Sequence, residues 1–206
     1  MLDKSPELST DDNLSKIQIE FEQKNPNIIL CSKPFHKIEF LNRLINSVED
    51  PIIVVDADLL YTGYVESGMI QKKENLVIFC PDNKDWKKKL SEIISKVSKE
   101  RFLVIIDSLN GVYNLFDELE SARLVNSCIM LLSSIGNQTK SSVIVTGMAR
   151  KKENGEWILS PGGKHIIQSE KTGIFYLKKS QNDLIITTLD RSDTDPKKFI
   201  IKEENN

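Results

Sequence analysis

The strongest constraint on this chain is a rhythm. From Asn27 to Val145, short apolar runs alternate with longer stretches of helical periodicity. The runs are 27–31 (NIILC), 52–55 (IIVV), 76–79 (LVIF), 102–106 (FLVII) and 143–145 (VIV). Unbroken runs of this length, rich in Ile and Val, read as strands covered on both faces. Between them, segment 35–48 places Phe35, Ile38, Leu41, Leu44, Ile45 and Val48 on one helical face. Segment 84–100 sets Trp86, Leu90, Ile93, Ile94 and Val97 opposite Lys87, Lys88, Lys89 and Lys96. Segment 118–136 does the same with Val125, Cys128, Ile129, Leu132 and Ile135. Strands joined by helices pair in parallel, with helices on both faces of the sheet.

The texture changes after residue 145. A polar loop, 150–164, leads to two further apolar runs at 174–178 and 184–189. They flank Ser180-Gln181-Asn182-Asp183, which reads as a hairpin turn. Residues 199–201 supply a last strand. The fold class expected is therefore α/β: a three-layer αβα domain, mostly parallel, closed by an antiparallel C-terminal hairpin. Residues 14–202 form one domain on this reading. Residues 1–13 are expected to be a flexible N-terminal tail, and 203–206 a disordered end. Segment 14–24 fits either state. Ile17, Ile19 and Phe21 alternate like a strand, while Leu14, Ile17 and Phe21 share a helix face.

Composition narrows the function classes. The 206 residues are 39% apolar and 28% charged, which suits a folded globular chain. No apolar stretch approaches the roughly 18–20 residues of a bilayer span, and the N-terminus lacks a secretory pattern. A cytoplasmic protein with no membrane partner is expected. The net charge of −2 excludes a generally basic nucleic-acid coat but leaves room for a local basic patch. Cys31, Cys80 and Cys128 are odd in number and far apart, so they read as buried thiols, not a zinc cage. His36 and His165 are too few for a histidine metal site.

Ligands of such sheets gather at the carboxyl ends of the strands. Three of those ends carry suitable residues. After the first strand, residues 31–38 stand where a phosphate-cradling loop, G-x-x-x-x-G-K-[ST], would lie. Lys37 takes the lysine position and Lys33 adds a cation. Both glycines are missing, Pro34 lacks an N–H, and Ile38 replaces the hydroxyl. After the second strand come Asp56, Ala57 and Asp58, which suit either a pocket or a turn cap. After the fourth come Asp107 and Ser108. Four apolar residues and an aspartate are the form of the magnesium-holding strand of phosphate-loop enzymes.

In this order, the pieces resemble the core domain of the RecA superfamily, particularly archaeal RadA recombinases and their paralogs. The likeness runs from about Asn27 to Ile201. It implies a RecA-like, P-loop NTPase-type fold. It matches Asp58 to the catalytic glutamate and Asp107 to the Walker B aspartate. Ser121-Ala122-Arg123 is similar to a family Ser-Ala-Arg. The stretch 160–166 (SPGGKHI) is similar to the Pro-x-Gly-Gly that closes the second DNA-binding loop. Departures fall on the ATP machinery: the phosphate loop, the shortened Asp58, and Thr146-Gly147-Met148 in place of Thr-Asn-Gln. The recombinases also carry an N-terminal helical domain, for which the residues ahead of Asn27 are too few.

The resemblance thus implies a non-hydrolysing accessory protein of DNA recombination and repair. It would bind a recombinase or sister paralog, single-stranded DNA, or both, and would form a homo- or hetero-oligomer. Asp58 and Asp107 are vestigial catalytic candidates. Lys37, Lys33, Asp107 and Ser108 are candidates for any nucleotide. Arg150, Lys151, Lys152 and Lys164, with Trp157 among them, are the nucleic-acid candidates, because cations hold phosphates and an aromatic ring stacks a base. No cofactor or metal is expected. One alternative is a DNA-dependent ATPase that binds ATP and Mg through an unorthodox loop. Another is an Elongator-like RecA-fold scaffold that binds tRNA.

Overall fold

Nine strands build one sheet in this computed structural model, which describes residues 10–116, 121–151, 153, 157–159, 169–189 and 196–203. They are β1 (Asn27–Cys31), β2 (Ile52–Asp56), β3 (Leu76–Phe79), β4 (Leu103–Asp107), β5 (Ser142–Lys151), β6 (Trp157–Leu159), β7 (Gly173–Ser180), β8 (Asp183–Thr188) and β9 (Lys198–Ile201). The order across the sheet is β3-β2-β4-β5-β1-β7-β8-β9, and β6 pairs with β5. From β3 to β7 every pair is parallel; β7–β8, β8–β9 and β5–β6 are antiparallel. The three-layer fold with its closing hairpin is as the sequence implies.

Helices α1 (Thr10–Gln23), α2 (Pro34–Ser47) and α3 (Leu60–Glu66) cover one face. Helices α4 (Trp86–Val97), α5 (Leu109–Asn114) and α6 (Ser121–Thr139) cover the other. The two cores follow from the two-residue period of the strands. Ile52 and Val54 point to the first face, Ile53 to the second. Among the described residues, no helix is long and apolar enough to cross a membrane.

Segment 14–24 resolves as helix. Leu14, Ile17 and Phe21 are buried on one side of α1, and Ile19 is 54% exposed. A strand would have placed Ile19 with Ile17 and Phe21; the helix instead sets the Phe21 ring edge-on to Phe175 at 5.1 Å. The helix starts at Thr10, inside the stretch expected as tail. Two short helices, α3 and α5, were not legible from periodicity, since neither is long enough to display it.

Ends are satisfied by distant side chains. Lys73 donates to the carbonyls of Ile45, Asn46 and Val48 at 3.3, 3.1 and 2.5 Å, closing the last turn of α2. Asn25 serves α6 and β5 together. Its Nδ2 donates to Ser133 O, Asn137 Oδ1 and Ser141 O, and its Oδ1 accepts from Val143 N at 3.0 Å. Cys31 is buried, whereas Cys80 and Cys128 are half-buried, which corrects the expectation of three buried thiols. The correction reflects position: Cys128 lines the groove between α4 and α6, not the core below it.

Candidate functional site

The carboxyl ends of β1, β2, β4 and β5 converge on one buried polar cluster. β2 and β4 run in register, Asp56 opposite Asp107. Both side chains are fully buried and face the α1–α3 layer. Thr146 continues the row on β5 and donates its hydroxyl to Asp107 Oδ1 at 2.5 Å. Lys37 closes the row from above. It is a residue of the first turns of α2 and is buried. Its Nζ lies 2.6 Å from Asp107 Oδ1 and 3.5 Å from Asp58 Oδ2.

The electrostatics follow from burial. Burial by itself lowers the affinity of Lys37 for its proton, but Asp107 and Asp58 outweigh it and hold Lys37 above its ordinary range. Lys37 is therefore a charged ammonium inside the protein. Its neighbour Cys31 is pushed up to about 12, mainly by burial against the pull of Lys37, and so is a neutral thiol. Among the described residues, Asp56 Oδ1 and Asp107 Oδ2 are buried without a hydrogen-bond partner.

Each aspartate also has a local task. Asp56 Oδ2 accepts from the Thr62 amide at 2.7 Å and satisfies an orphan N–H at the start of α3, the turn-cap role that the sequence left open. Asp58 is about one-third exposed and accepts from the Ser108 hydroxyl at 2.6 Å. Ser108 is the N-cap of α5, where its oxygen also accepts from Gly111 N at 3.3 Å. Gly111 allows this approach. A Cβ there would lie 2.1 Å from Asp58 Oδ1 and 2.9 Å from the Ala57 carbonyl carbon. Leu59, next to Asp58, has a left-handed φ of 58° and an exposed side chain.

The connection ahead of Lys37 is short. β1 ends at Cys31 and α2 begins at Pro34, so only Ser32 and Lys33 lie between them. Residues 34–36 are already helical, and the Lys37 amide donates to the Lys33 carbonyl at 3.4 Å. Lys33 itself stands exposed at the N-cap of α2 and contributes no ion pair to the cluster.

The structure thus brings Lys37, Asp58, Asp107 and Ser108 together and leaves Lys33 out. It adds Thr146, and it sets Asp56, which the second strand end already offered, in the same row. Thr146 has no sequence signal as a partner of Asp107, because only the β4–β5 register brings the two side by side. Asn110 was missed as well; its Oδ1 accepts from the Met148 amide at 3.1 Å.

In the second candidate region, residues 150–151 and 157–159, expected as loop, are strand. β5 runs on through Arg150 and Lys151 and pairs with β6, with Lys151 opposite Trp157 and Arg150 opposite Ile158. A polar side chain does not prevent its backbone from joining a ladder. Arg150 and Lys151 are exposed. Lys152, Lys164 and the stretch 160–166 lie outside the described residues.

No family model and no curated protein matches this sequence. Solved structures do match. A DnaB-like replicative helicase, studied for its interactions with primase, aligns with a TM-score of 0.59 and 11% identity over 95% of this chain. This chain spans 65% of that one. The ATPase domain of a second protein aligns at 0.58 and 11% identity over 95% of both chains. The RadB recombinase aligns at 0.55 and 15% identity over 88% of this chain and 93% of that one. Together with the strand order, these likenesses establish the RecA-like, P-loop NTPase-type αβα fold for this chain.

Proposed function

We propose that this chain is a degenerate RadA-type paralog, an accessory protein of DNA recombination and repair that does not hydrolyse ATP. It acts by binding a recombinase or sister paralog, and it holds single-stranded DNA through Arg150, Lys151, Lys152, Trp157 and Lys164. The observation that carries the reading is the Lys37–Asp107 pair beneath a helix that starts too early. A triphosphate with magnesium needs free backbone N–H groups around the phosphates and a hydroxyl for the metal. Here Pro34 has no N–H, the Lys37 amide is used within α2, and Ile38 has no hydroxyl. These residues do not fit that group. The charge of Lys37 is directed to Asp107 and Asp58 instead. Structural neighbours that are a recombinase and a replicative helicase support a role at DNA.

The test uses the full chain. Calorimetry with millimolar Mg-ATP is expected to show no binding heat, and ATP hydrolysis should be absent with or without single-stranded DNA. A labelled oligothymidine should bind without nucleotide. Saturable ATP binding that the K37A change abolishes would overturn the reading.

A further inference from the structure

β1 stops short of the strands on either side of it. Its last residue, Cys31, lies opposite Met148 of β5 and Leu177 of β7. β5 runs on three residues further, to Lys151, and β7 three further, to Ser180. The turn from β1 into α2 therefore sits in a notch between two strand ends, about 9–10 Å apart at the spacing of neighbouring strands. Residues 32–35 form its floor, and all four are exposed. Phe35 is 71% exposed and is the one exposed aromatic side chain among the described residues. A lone exposed apolar side chain is ordinary. The setting of this ring is not.

The notch is cationic on its floor and on both walls. Lys33 stands on the floor, Arg150 and Lys151 on the β5 wall, and Lys178 and Lys179 on the β7 wall. Lys33, Arg150 and Lys178 are exposed and form no ion pair among the described residues. The carboxylates of the same edge are engaged or stand further out. Glu39 is held by Lys179 at 2.9 Å and by Arg43 at 2.8 Å. Asp58 faces Lys37 and Ser108. Asp183 and Glu203 belong to β8 and the end of β9, beyond β7. Glu153 lies past the end of β5, in the connection to β6.

We infer that this notch carries a single strand of DNA onward from Arg150 and Lys151, with Phe35 stacking a base and Lys33 and Lys178 holding phosphates on either side of it. Chemistry selects this ligand. Cations hold phosphates, and the face of an aromatic ring stacks a base of any sequence. A duplex turns its base faces inward, so Phe35 gains nothing from it. An acidic peptide meets the cations but leaves the ring without a flat partner. The inference rests on the reading that residues 150–164 hold single-stranded DNA. It moves Lys33 from nucleotide candidate to DNA contact and adds Phe35 and Lys178.

The full chain is titrated with an oligothymidine that carries one 2-aminopurine, whose emission falls when it stacks on a ring. F35A alters an exposed side chain only. It is expected to weaken binding by about tenfold and to abolish the quenching, while F35Y keeps both. K33Q/K178Q should lower the slope of log K against log salt by about 1.4, the effect of two phosphate contacts on a single strand. L59A, which alters another exposed apolar side chain, should change neither quantity. A duplex of the same sequence should bind at least tenfold more weakly. No oligothymidine binding by the parent chain overturns this inference together with the DNA reading. Binding that R150E/K151E weakens, and that F35A and K33Q/K178Q leave unchanged, overturns this inference alone. So does a loss in F35A that F35Y shares, or equal affinity for the duplex.

Discussion

Lys37 and Asp107 form an ion pair of 2.6 Å in which neither side chain is more than 3% exposed. A buried pair resists the loss of one partner far more than the loss of both. Lys37→Met is therefore expected to destabilise the fold by about 3–5 kcal/mol, because the Asp107 carboxyl is left buried without its partner. The double change K37M/D107L should return most of that loss. Urea denaturation of the two single variants, the double and the parent gives the coupling directly. Additive losses would show that the pair is not a unit.

Gly111 and Asp58 make a second coupled pair. A Cβ at position 111 meets Asp58 Oδ1 at 2.1 Å. Gly111→Ala should cost about 1–3 kcal/mol as overpacking. D58A should relieve only part of it, since the Ala57 backbone stays 2.9 Å from the same Cβ. The readout is the thermal midpoint of each variant. A neutral G111A would mean that the turn at residues 56–59 can move aside.

Stability is expected to fall on the alkaline side. Burial pushes Cys31 from 9.0 up to about 12, and burial with Asp56 pushes Tyr61 from 10.0 up to about 12. Both folded values exceed the unfolded ones, so above about pH 9 the unfolded chain releases protons that the native state keeps. The stabilisation is complete below pH 9 and declines as pH rises toward 12, by up to about 1.4 kcal/mol per pH unit for each group. The urea midpoint measured from pH 8 to 10.5 should drop accordingly, and C31A should flatten the first part of the decline. A midpoint flat to pH 10.5 would contradict the burial of this thiol.

On the β5–β6 hairpin, R150E/K151E should weaken oligothymidine binding and lower its salt dependence. Two phosphate contacts removed from a single strand reduce the slope of log K against log salt by about 1.4. Anisotropy titrations at three salt concentrations measure this. An unchanged slope would remove the hairpin from the DNA surface.

The sheet was legible in the sequence because each inner strand is apolar on both sides. β1 and β3 fall at 27–31 and 76–79 as expected, and the 180–183 turn lies between β7 and β8. Asp58, Asp107 and Lys37 were legible as strand-end and helix-start residues, but not as one cluster. That requires the strand order, in which β4 and β5 separate β2 from β1. Chain neighbours do not encode such register. Thr146 and Gly111 were hidden for the same reason. The reading of residues 150–151 and 157–159 as loop failed on a different point: it weighed side-chain polarity where backbone pairing decided.

The two residues between β1 and α2 carry an evolutionary corollary. Point changes that restored glycine at 31 and 36 and serine at 38 would leave the helix starting where it does, with its first-turn amides already directed along its own axis. Regaining a triphosphate cradle would instead take unwinding the first turn of α2, since residues 31–38 already span the eight positions of that pattern.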